Sequence, residues 1–438
     1  MAKERPFLTA ADSAWLQMET PTNLMTITGV MALKGRLSYD AASRLLEEKL
    51  LIHERFRMGI AAPPGGVGRY RWVEQDISLD EHLVAVGTGE SWNKHRLEDF
   101  VSREMGTPLD FEKPLWKFFL VENVDGGSVL VSRIHHCIGD GVALMKVLLG
   151  MADPMDTDAT MTTVGVRKAA EIGTSEGMGK PGKIMAAIRA SGAATTTLGR
   201  LVAMKSDPAS VFKGELGTEK VAVWSEDIPL DDVKEIGKRL GGTVNDVLLT
   251  AVAGALRSYM QERKQDPDGL DLRAVVPVNL REPDDTKLCN RFGLVYLQLP
   301  VGIKGRLERL RELKRRMDAI KRSPEPFVVY GLLKTAGMAN PGLQSKIVKF
   351  FSKNATAVMT NVPGPRSRLA FGGVEIDNLM FWVPQSGGLG MGVSILSYNN
   401  QVRVGVATDK KLVDDPETIV QGFHAALAAL REEALASG

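Results

Sequence analysis

Cysteine, histidine and long apolar runs are all scarce in this chain of 438 residues. The two cysteines, Cys137 and Cys289, are too few for a disulfide framework or a cysteine-rich zinc site, so we expect both thiols to be reduced. No apolar run reaches the length of about 18 residues that a membrane-spanning helix needs, and the first residues lack the apolar core of a signal peptide. We therefore expect a globular protein of the cytosol.

An excess of charge of one sign is also lacking. The 55 Lys and Arg residues against 53 Asp and Glu residues give a formal net charge of +2, which offers no global electrostatic reason to bind nucleic acid. We expect no nucleic-acid partner. The length and the hydrophobic content of 44% allow two or three domains with sizeable cores.

Strand and helix patterns are mixed in both halves of the chain, which predicts an α/β (α+β) fold with mixed sheets. Residues 1–151 and 216–438 each show this mixture, which is compatible with a duplicated fold of two domains. Residues 152–215 are rich in small side chains, and from 161 to 213 they carry eight Lys or Arg against three acids. We interpret 152–215 as a basic, flexible crossover linker with short helices such as "KIMAAIRA" (183–190).

Two adjacent histidines end an apolar run in "RIHHCIGDG" (133–141). If the strand ends near His135, successive side chains point to opposite faces, so only one imidazole reaches a cleft. A neutral imidazole can accept a proton from an alcohol or amine at cytosolic pH. Asp140 can fix the geometry by pairing with a cation, and Gly141 leaves the mouth of a site open. The alternative is two structural histidines; we predict no metal site, because adjacent histidines point apart.

Three other stretches resemble functional motifs. "GTSEG" (173–177) fits the nucleophile-elbow pattern but lacks a buried strand before it, and "GMGKPGKI" (177–184) lacks the Ser or Thr of a phosphate-binding loop. The segment 304–322 has nine basic residues against three acids, with apolar residues near helical spacing. It is either a solvated amphipathic face or an attractor of an anionic phosphate-bearing ligand or lipid surface.

An ordered set of motifs resembles the bacterial wax ester synthase/diacylglycerol acyltransferase family. The set covers nearly the whole chain and includes "PLWKFFLVE", "HHCIGDG", "TVNDVLLTAVAGALR", "VPVNLR", "NRFG" and "TNVPGP". This resemblance implies the fold of chloramphenicol acetyltransferase and of peptide-synthetase condensation domains. In that fold two related domains surround a central tunnel, and acyl donor and acceptor enter from opposite faces.

The resemblance also implies roles for the residues of the histidine motif. His136 matches the second motif histidine and would be the general base, while His135 would be mainly structural. Asp140 would act through a salt bridge, for which we predict Arg281 as the partner. Gly141 would keep the tunnel open.

Four further residues have both an ordinary and a functional interpretation. Pro114 and Trp116 precede a strand and indicate packing, while Asn245 and Asp246 open an apolar helix and indicate capping. Asn245 matches the family's Asn-Asp motif and is our candidate for orienting substrate or stabilising the oxyanion. Asp246, Pro114 and Trp116 would be structural support.

The implied activity is direct transfer of a long-chain acyl group from acyl-coenzyme A to a fatty alcohol, giving a wax ester, or to diacylglycerol, giving triacylglycerol. Acyl-coenzyme A would be a co-substrate, with no bound cofactor and no acyl-enzyme. We expect peripheral association with a membrane or lipid inclusions. Two alternatives stay open: a carrier-protein-dependent, condensation-like acyltransferase, and a non-catalytic acyl- or lipid-binding protein.

Cys137 and Ile138 depart from the commonest family pattern, which has Ala followed by Leu or Met. A thiol beside the base raises the question of a covalent acyl-cysteine. Alternation along an extended backbone aims Cys137 away from His136, so we predict a packing role. Because Cys137 and Ile138 are unusual, the family pattern alone does not predict the shape of the acceptor-binding part of the site.

Overall fold

The computed structural model of the protein describes residues 6–63, 65, 68–155, 193–281, 287–338 and 353–436. The motifs at 173–177 and 177–184 and the predicted helix at 183–190 lie outside these residues. The first half (6–155) contains α1 (Ala10–Met18), β1 (Thr26–Leu33), α2 (Tyr39–Leu45), β2 (Met58–Ala61), β3 (Arg71–Glu74), α3 (Leu79–His82), β4 (Leu83–Val86), α4 (Lys94–Met105), β5 (Trp116–Val124), β6 (Gly127–His135), α5 (Gly141–Gly150) and β7 (Asp153–Pro154).

The second half (193–436) again mixes strands with helices. It contains α6 (Ala193–Val202), β8 (Lys220–Trp224), β9 (Ile228–Pro229), α7 (Leu230–Leu240), α8 (Val244–Glu262), β10 (Leu272–Asn279), β11 (Phe292–Leu299), α9 (Arg306–Lys321), α10 (Glu325–Met338), β12 (Ala357–Pro363), β13 (Leu369–Phe371), β14 (Val374–Trp382), β15 (Met391–Tyr398), β16 (Gln401–Asp409) and α11 (Pro416–Ala436).

The first sheet has seven strands in the order β4-β5-β6-β1-β14-β13-β7. Its central pair, β1 and β6, is antiparallel from Thr26 opposite His135 to Leu33 opposite Ser128. All nine residues of β6 are buried, because one face of the strand packs with α5 and the other with α4. A strand covered on both faces reads as a nearly continuous apolar run, which explains "VLVSRIHH".

The second sheet has the strand order β11-β10-β12-β15-β16-β8. Helices α8, α9 and α11 cover one face and form a single large core with the strands. Helices α6 and α10 pack on the other face, against β10, β11 and β12. Each sheet therefore has helices packed on its faces, and one further core joins α4 and β6 to β8 and β14 of the second half.

The second half contributes two strands to the first sheet, so the sequence division at 215 and 216 does not divide the sheets. β13 and β14 belong by sequence to 216–438 but join the first sheet, where Thr28 of β1 lies opposite Trp382 of β14. An apolar alternation predicts that a segment is a strand but does not identify its partner. The pairing of β14 with β1 links the halves by backbone hydrogen bonds.

The described end of the linker, 193–215, is packed rather than loose. Leu201 and Phe212 are each 1% exposed, and the Phe212 ring lies 5.5 Å from that of Tyr259. Lys213 Nζ donates to the carbonyl of Ala355 at 2.8 Å. Two apolar side chains among many small residues thus anchor this part to the second half, and the flexibility of 152–215 stays a prediction.

Helix α9 contains most of the basic segment 304–322. Leu310, Leu313 and Met317 are buried against the second core, which confirms the amphipathic pattern. Ion pairs link its bases to nearby acids: Arg315 and Arg316 to Glu312, Lys314 and Lys321 to Asp318, Arg316 to Asp271, and Arg306 to Glu433. Basic residues that are paired with acids attract anionic ligands or lipids less. The outer face of α9 is therefore better described as a solvated helix face than as an anion-binding surface.

Candidate active site

The histidine motif lies on the connection from β6 to α5. The backbone N–H of His136 donates to the carbonyl of Met25, the residue before β1, at 2.7 Å. The backbone pairing of the two strands therefore continues one residue beyond β6. Asp140 is the N-cap of α5, and its Oδ1 accepts from the N–H of Ala143 at 2.9 Å. The strand therefore ends at His135, as expected, and a helix begins directly after Asp140.

The His136 ring packs in a cluster with two aromatic rings, which also contact each other. It stacks on Trp15 of α1 with centroids 4.0 Å apart and planes 17° apart, and Phe292 of β11 lies 5.6 Å away. The residue is only 4% exposed. Burial lowers the pKa of His136 from 6.5 to about 4, against the opposing charge of Asp140. The imidazole is therefore neutral at pH 7 and can accept a proton.

His135 points into a different environment and is fully buried. Its Nδ1 accepts from the backbone N–H of Cys137 at 3.1 Å, and its Nε2 lies 3.0 Å from Glu19 Oε2. Glu19 Oε2 also accepts from the backbone N–H of Met25 at 2.8 Å. These contacts tie His135 to the same segment that pairs with His136, which agrees with a structural role.

Asp140 joins the motif to the second half. Its Oδ2 lies 2.7 Å from Arg281 Nη2 and accepts from the backbone N–H of Arg291 at 2.8 Å. The ion pair between Asp140 and Arg281 is the one that we predicted. Gly141 follows, and a Cβ atom added there would meet nothing within 4 Å, so this position borders open space.

A second buried network involves residues to which the sequence analysis gave no role. Asp12 of α1 is 0% exposed, and its Oδ1 accepts from both the backbone N–H and the Nδ2 of Asn290, at 3.0 and 2.9 Å. Asn290 Nδ2 also donates to the carbonyl of His136 at 2.7 Å. Asn290 thus connects α1, the backbone of His136 and the second half.

Arg55 completes this network. Its Nη2 lies 2.9 Å from Asp12 Oδ2, while its Nη1 donates to the carbonyls of Cys137 and Ile138 at 3.2 and 2.8 Å. The loop after His136 is therefore held from both sides. The sequence held a weak signal: Asp12 and Trp15 are three residues apart and share a face of α1, although an acid in a first turn is ordinarily a dipole partner.

Asn245 and Asp246 open α8 in the second half. Asp246 forms a capping box with Thr243, whose Oγ1 accepts from the N–H of Asp246 and whose N–H donates to Asp246 Oδ2, so the capping prediction is confirmed. Asn245 Oδ1 accepts from Asn361 Nδ2 at 2.7 Å. Within the described residues no hydrogen bond joins Asn245 to the histidine motif, and its role stays a prediction.

Pro114 and Trp116 are buried at the start of β5. The Trp116 indole N–H donates to the carbonyl of Phe56 at 2.8 Å, and its ring packs in the first core. Between them, the carbonyl of Leu115 accepts from the N–H of His135 at 2.9 Å. The predicted packing role is confirmed, and the same stretch fixes the end of β6.

Comparison with known protein families decides the membership of this chain. The model of the wax ester synthase/diacylglycerol acyltransferase catalytic domain matches residues 8–248, which is more than half of the chain. The model of the WS/DGAT C-terminal domain matches residues 288–431. This chain belongs to the wax ester synthase/diacylglycerol acyltransferase family.

Individual proteins agree with this membership. A putative diacylglycerol O-acyltransferase of Mycobacterium tuberculosis is 25% identical over 456 residues, covering 97% of this chain and 90% of that protein. The wax ester synthase/diacylglycerol acyltransferase from Marinobacter aquaeolei VT8 matches with a TM-score of 0.70 at 21% identity, covering 98% of this chain and 100% of that one. The first condensation domain of the calcium-dependent antibiotic synthetase matches with a TM-score of 0.62 at 15% identity, covering 99% and 97%. The predicted fold is confirmed, and the chain is an O-acyltransferase of this family.

Cys137 directly follows His136 in this member of the wax ester synthase/diacylglycerol acyltransferase family. Its side chain is 0% exposed and packs in the first core. Burial raises the pKa of the Cys137 thiol well above its ordinary value, which disfavours the nucleophilic thiolate. The packing role predicted for Cys137 agrees with this position.

Proposed function

We propose that this enzyme transfers a long-chain fatty acyl group from acyl-coenzyme A to the hydroxyl of a fatty alcohol or a diacylglycerol, with His136 as the general base. The observation that carries the proposal is the His136 imidazole, which is neutral at pH 7, stacks on Trp15 and packs near Phe292. The names of the family and its relatives supply the two acceptor classes.

The proposed reaction needs one base and no covalent enzyme intermediate. The acceptor hydroxyl oxygen attacks the thioester carbonyl carbon while its proton passes to the ring nitrogen of His136. The resulting tetrahedral oxyanion collapses, the carbon–sulfur bond breaks, and the proton passes from His136 to the departing sulfur. The products are an ester and free coenzyme A, and the imidazole is neutral again.

Asn245 is the proposed donor to substrate or oxyanion. The bond from Asn361 occupies Asn245 Oδ1, so the amide Nδ2 is the group that would donate to a substrate oxygen. A donor to a developing oxyanion is worth about 3 kcal/mol in an acyl-transfer reaction.

We propose a cytoplasmic enzyme that associates peripherally with a membrane or lipid inclusion, where its acceptors concentrate. Among the described residues, each helix is too short or too polar to span a bilayer. Ion pairs reduce the positive electrostatic potential of α9 and so its attraction for anionic lipids. The reason to expect membrane association is therefore the apolar nature of the substrates. Fractionation of cells with lipid inclusions tests it, and recovery of all enzyme in the soluble fraction would contradict it.

A matrix of donors and acceptors tests the activity. Palmitoyl-coenzyme A and a palmitoyl carrier-protein thioester are each offered with hexadecanol, with dioleoylglycerol and with no acceptor, and the lipid products are identified by mass spectrometry. We expect an ester from the coenzyme A donor only when an acceptor is present. Esters from the carrier thioester alone would favour the condensation-like alternative, and fatty acid release without acceptor would indicate a hydrolase.

A further inference from the structure

An apolar cavity lies between the first sheet and α5, beside the histidine motif. The floor comes from strands that include Ile27 and Met31 of β1 and Ile134 of β6, and the roof comes from Gly141, Met145 and Leu148 of α5. Ile134 lies two residues before His136 in the chain, and Gly141 directly follows Asp140. One end of the cavity is therefore close in sequence to both motif residues.

The chemistry of the wall restricts what the cavity can bind. Among the described residues that line it, Ser132 is the one polar side chain and none is charged. Such a wall offers no partner for a phosphate, an amine or a carboxylate, since a buried charge without a partner is strongly disfavoured. It suits a saturated hydrocarbon chain.

Two features distinguish this space from an ordinary packing defect. Protein interiors are close-packed, with few voids larger than a water molecule, yet Met145 and Leu148 remain partly exposed on the side of α5 that lines the cavity. Gly141 begins the helix, where an added Cβ would meet no atom within 4 Å. The motif end of the cavity thus lacks a side chain that would close it.

We propose that this cavity binds one unbranched alkyl chain of a substrate, running along α5 from Gly141 toward Met151, and that Met145 limits the length accepted. This inference rests on the proposed acyl transfer and extends it to a position that determines specificity. Ten residues of helix span about 15 Å, so the cavity is long enough to discriminate among medium and long chains. The alkyl chain that the cavity binds belongs either to the acyl donor or to the acceptor alcohol.

Met145→Trp narrows the cavity at mid-length and is the test variant. Met105→Trp is the matched control, because Met105 packs partly buried on the opposite face of the same sheet. In one arm butanoyl-, octanoyl- and palmitoyl-coenzyme A are compared with ethanol as acceptor. In the other arm butanol, octanol and hexadecanol are compared with butanoyl-coenzyme A as donor.

In the wild type, each methylene that enters the cavity is expected to raise kcat/KM about fourfold. Met145→Trp is expected to keep the short-chain kcat/KM within about twofold and to lower the long-chain value more than tenfold, in one arm only. The arm that changes identifies the substrate whose chain the cavity holds. Equal chain-length profiles for wild type and Met145→Trp, or the same loss in Met105→Trp, would overturn the inference.

A binding measurement separates this inference from the proposed function. The fluorescence of cis-parinaric acid reports binding of a long chain without turnover. Weaker binding to Met145→Trp than to wild type and Met105→Trp would support the cavity even if the wild type transferred no acyl group. Equal affinity of all three proteins would overturn it even if acyl transfer were demonstrated.

Discussion

The buried ion pair between Asp140 and Arg281 allows a quantitative prediction. The two residues are 4% and 3% exposed, and their charged groups lie 2.7 Å apart. Removing one partner of a buried pair leaves an uncompensated charge and costs about 3–5 kcal/mol. In Arg281→Met, Asp140 keeps the backbone N–H groups of Ala143 and Arg291. We therefore expect a loss near the lower end, about 3 kcal/mol in the free energy of unfolding.

A double-mutant cycle isolates the pair from other effects. Asp140→Asn keeps an oxygen that can cap α5 but removes the charge, and the double variant Asp140→Asn/Arg281→Met removes both charges. Because the two groups are in contact, we expect the double variant to be more stable than the sum of the single losses predicts, by about 1–3 kcal/mol. Urea denaturation of the four proteins measures each free energy of unfolding, and an unchanged m-value shows that the denatured state is unaffected.

Two results would refute this reasoning. Additivity of the single losses within about 0.5 kcal/mol would show that the two charges are not coupled. A loss below about 1 kcal/mol for Arg281→Met would show that the pair is solvated in the protein, as exposed pairs are.

Three further predictions follow from the buried groups. Burial lowers the pKa of His136, so the acid limb of the kcat/KM profile against pH is expected at about 4, and an acid limb near 6.5 would contradict this. Because the unfolded chain protonates His136 at a higher pH than the folded protein does, the free energy of unfolding also falls by about 3 kcal/mol between pH 6.5 and 4. The variant His136→Ala should lack this part of the pH dependence. Asn290→Ala removes the donor to the His136 carbonyl and a hydrogen-bond partner of Asp12. Steady-state kinetics should therefore show a lower kcat with little change in KM, and the free energy of unfolding should fall by about 1–3 kcal/mol. An unchanged kcat would show that Asn290 does not position His136. Burial raises the pKa of Glu98 to about 7, so the folded protein keeps a proton that the unfolded chain loses, and the free energy of unfolding falls as pH rises from about 4.5 to 7. In urea denaturation, Glu98→Gln should therefore be more stable than wild type at pH 8 and equally stable at pH 4.5. A stability difference that does not change with pH would contradict this.

The sequence predicted those parts of the structure that depend on local patterns. The stretch "TITGVMAL" (26–33) has the composition of a strand, and β1 lies there. β6 ends at His135, as the histidine motif indicated, and Ser38 and Thr243 are residue types that favour the N-cap positions they occupy. The partner of Asp140 came from the family motif, since nothing local to Arg281 identifies it.

The remaining structure depends on contacts between distant segments. The bond from Asn290 to Asp12 spans 278 residues, and neither side chain differs locally from an ordinary cap or loop residue. The pairing of β14 with β1 likewise crosses the chain, and the apolar alternation of β14 would suit either sheet. Trp15 could be expected in a core, but its stacking on His136 requires the approach of α1 to the motif.

The central claim is that His136 is the base for direct acyl transfer. Release of free thiol from palmitoyl-coenzyme A, with and without hexadecanol, tests it in wild type, His136→Ala and Cys137→Ala, with thermal unfolding as the control for folding. The account predicts acceptor-dependent release that falls about a hundredfold to ten-thousandfold in His136→Ala and persists in Cys137→Ala. Release that survives in a folded His136→Ala, or that is lost only in Cys137→Ala, would contradict it.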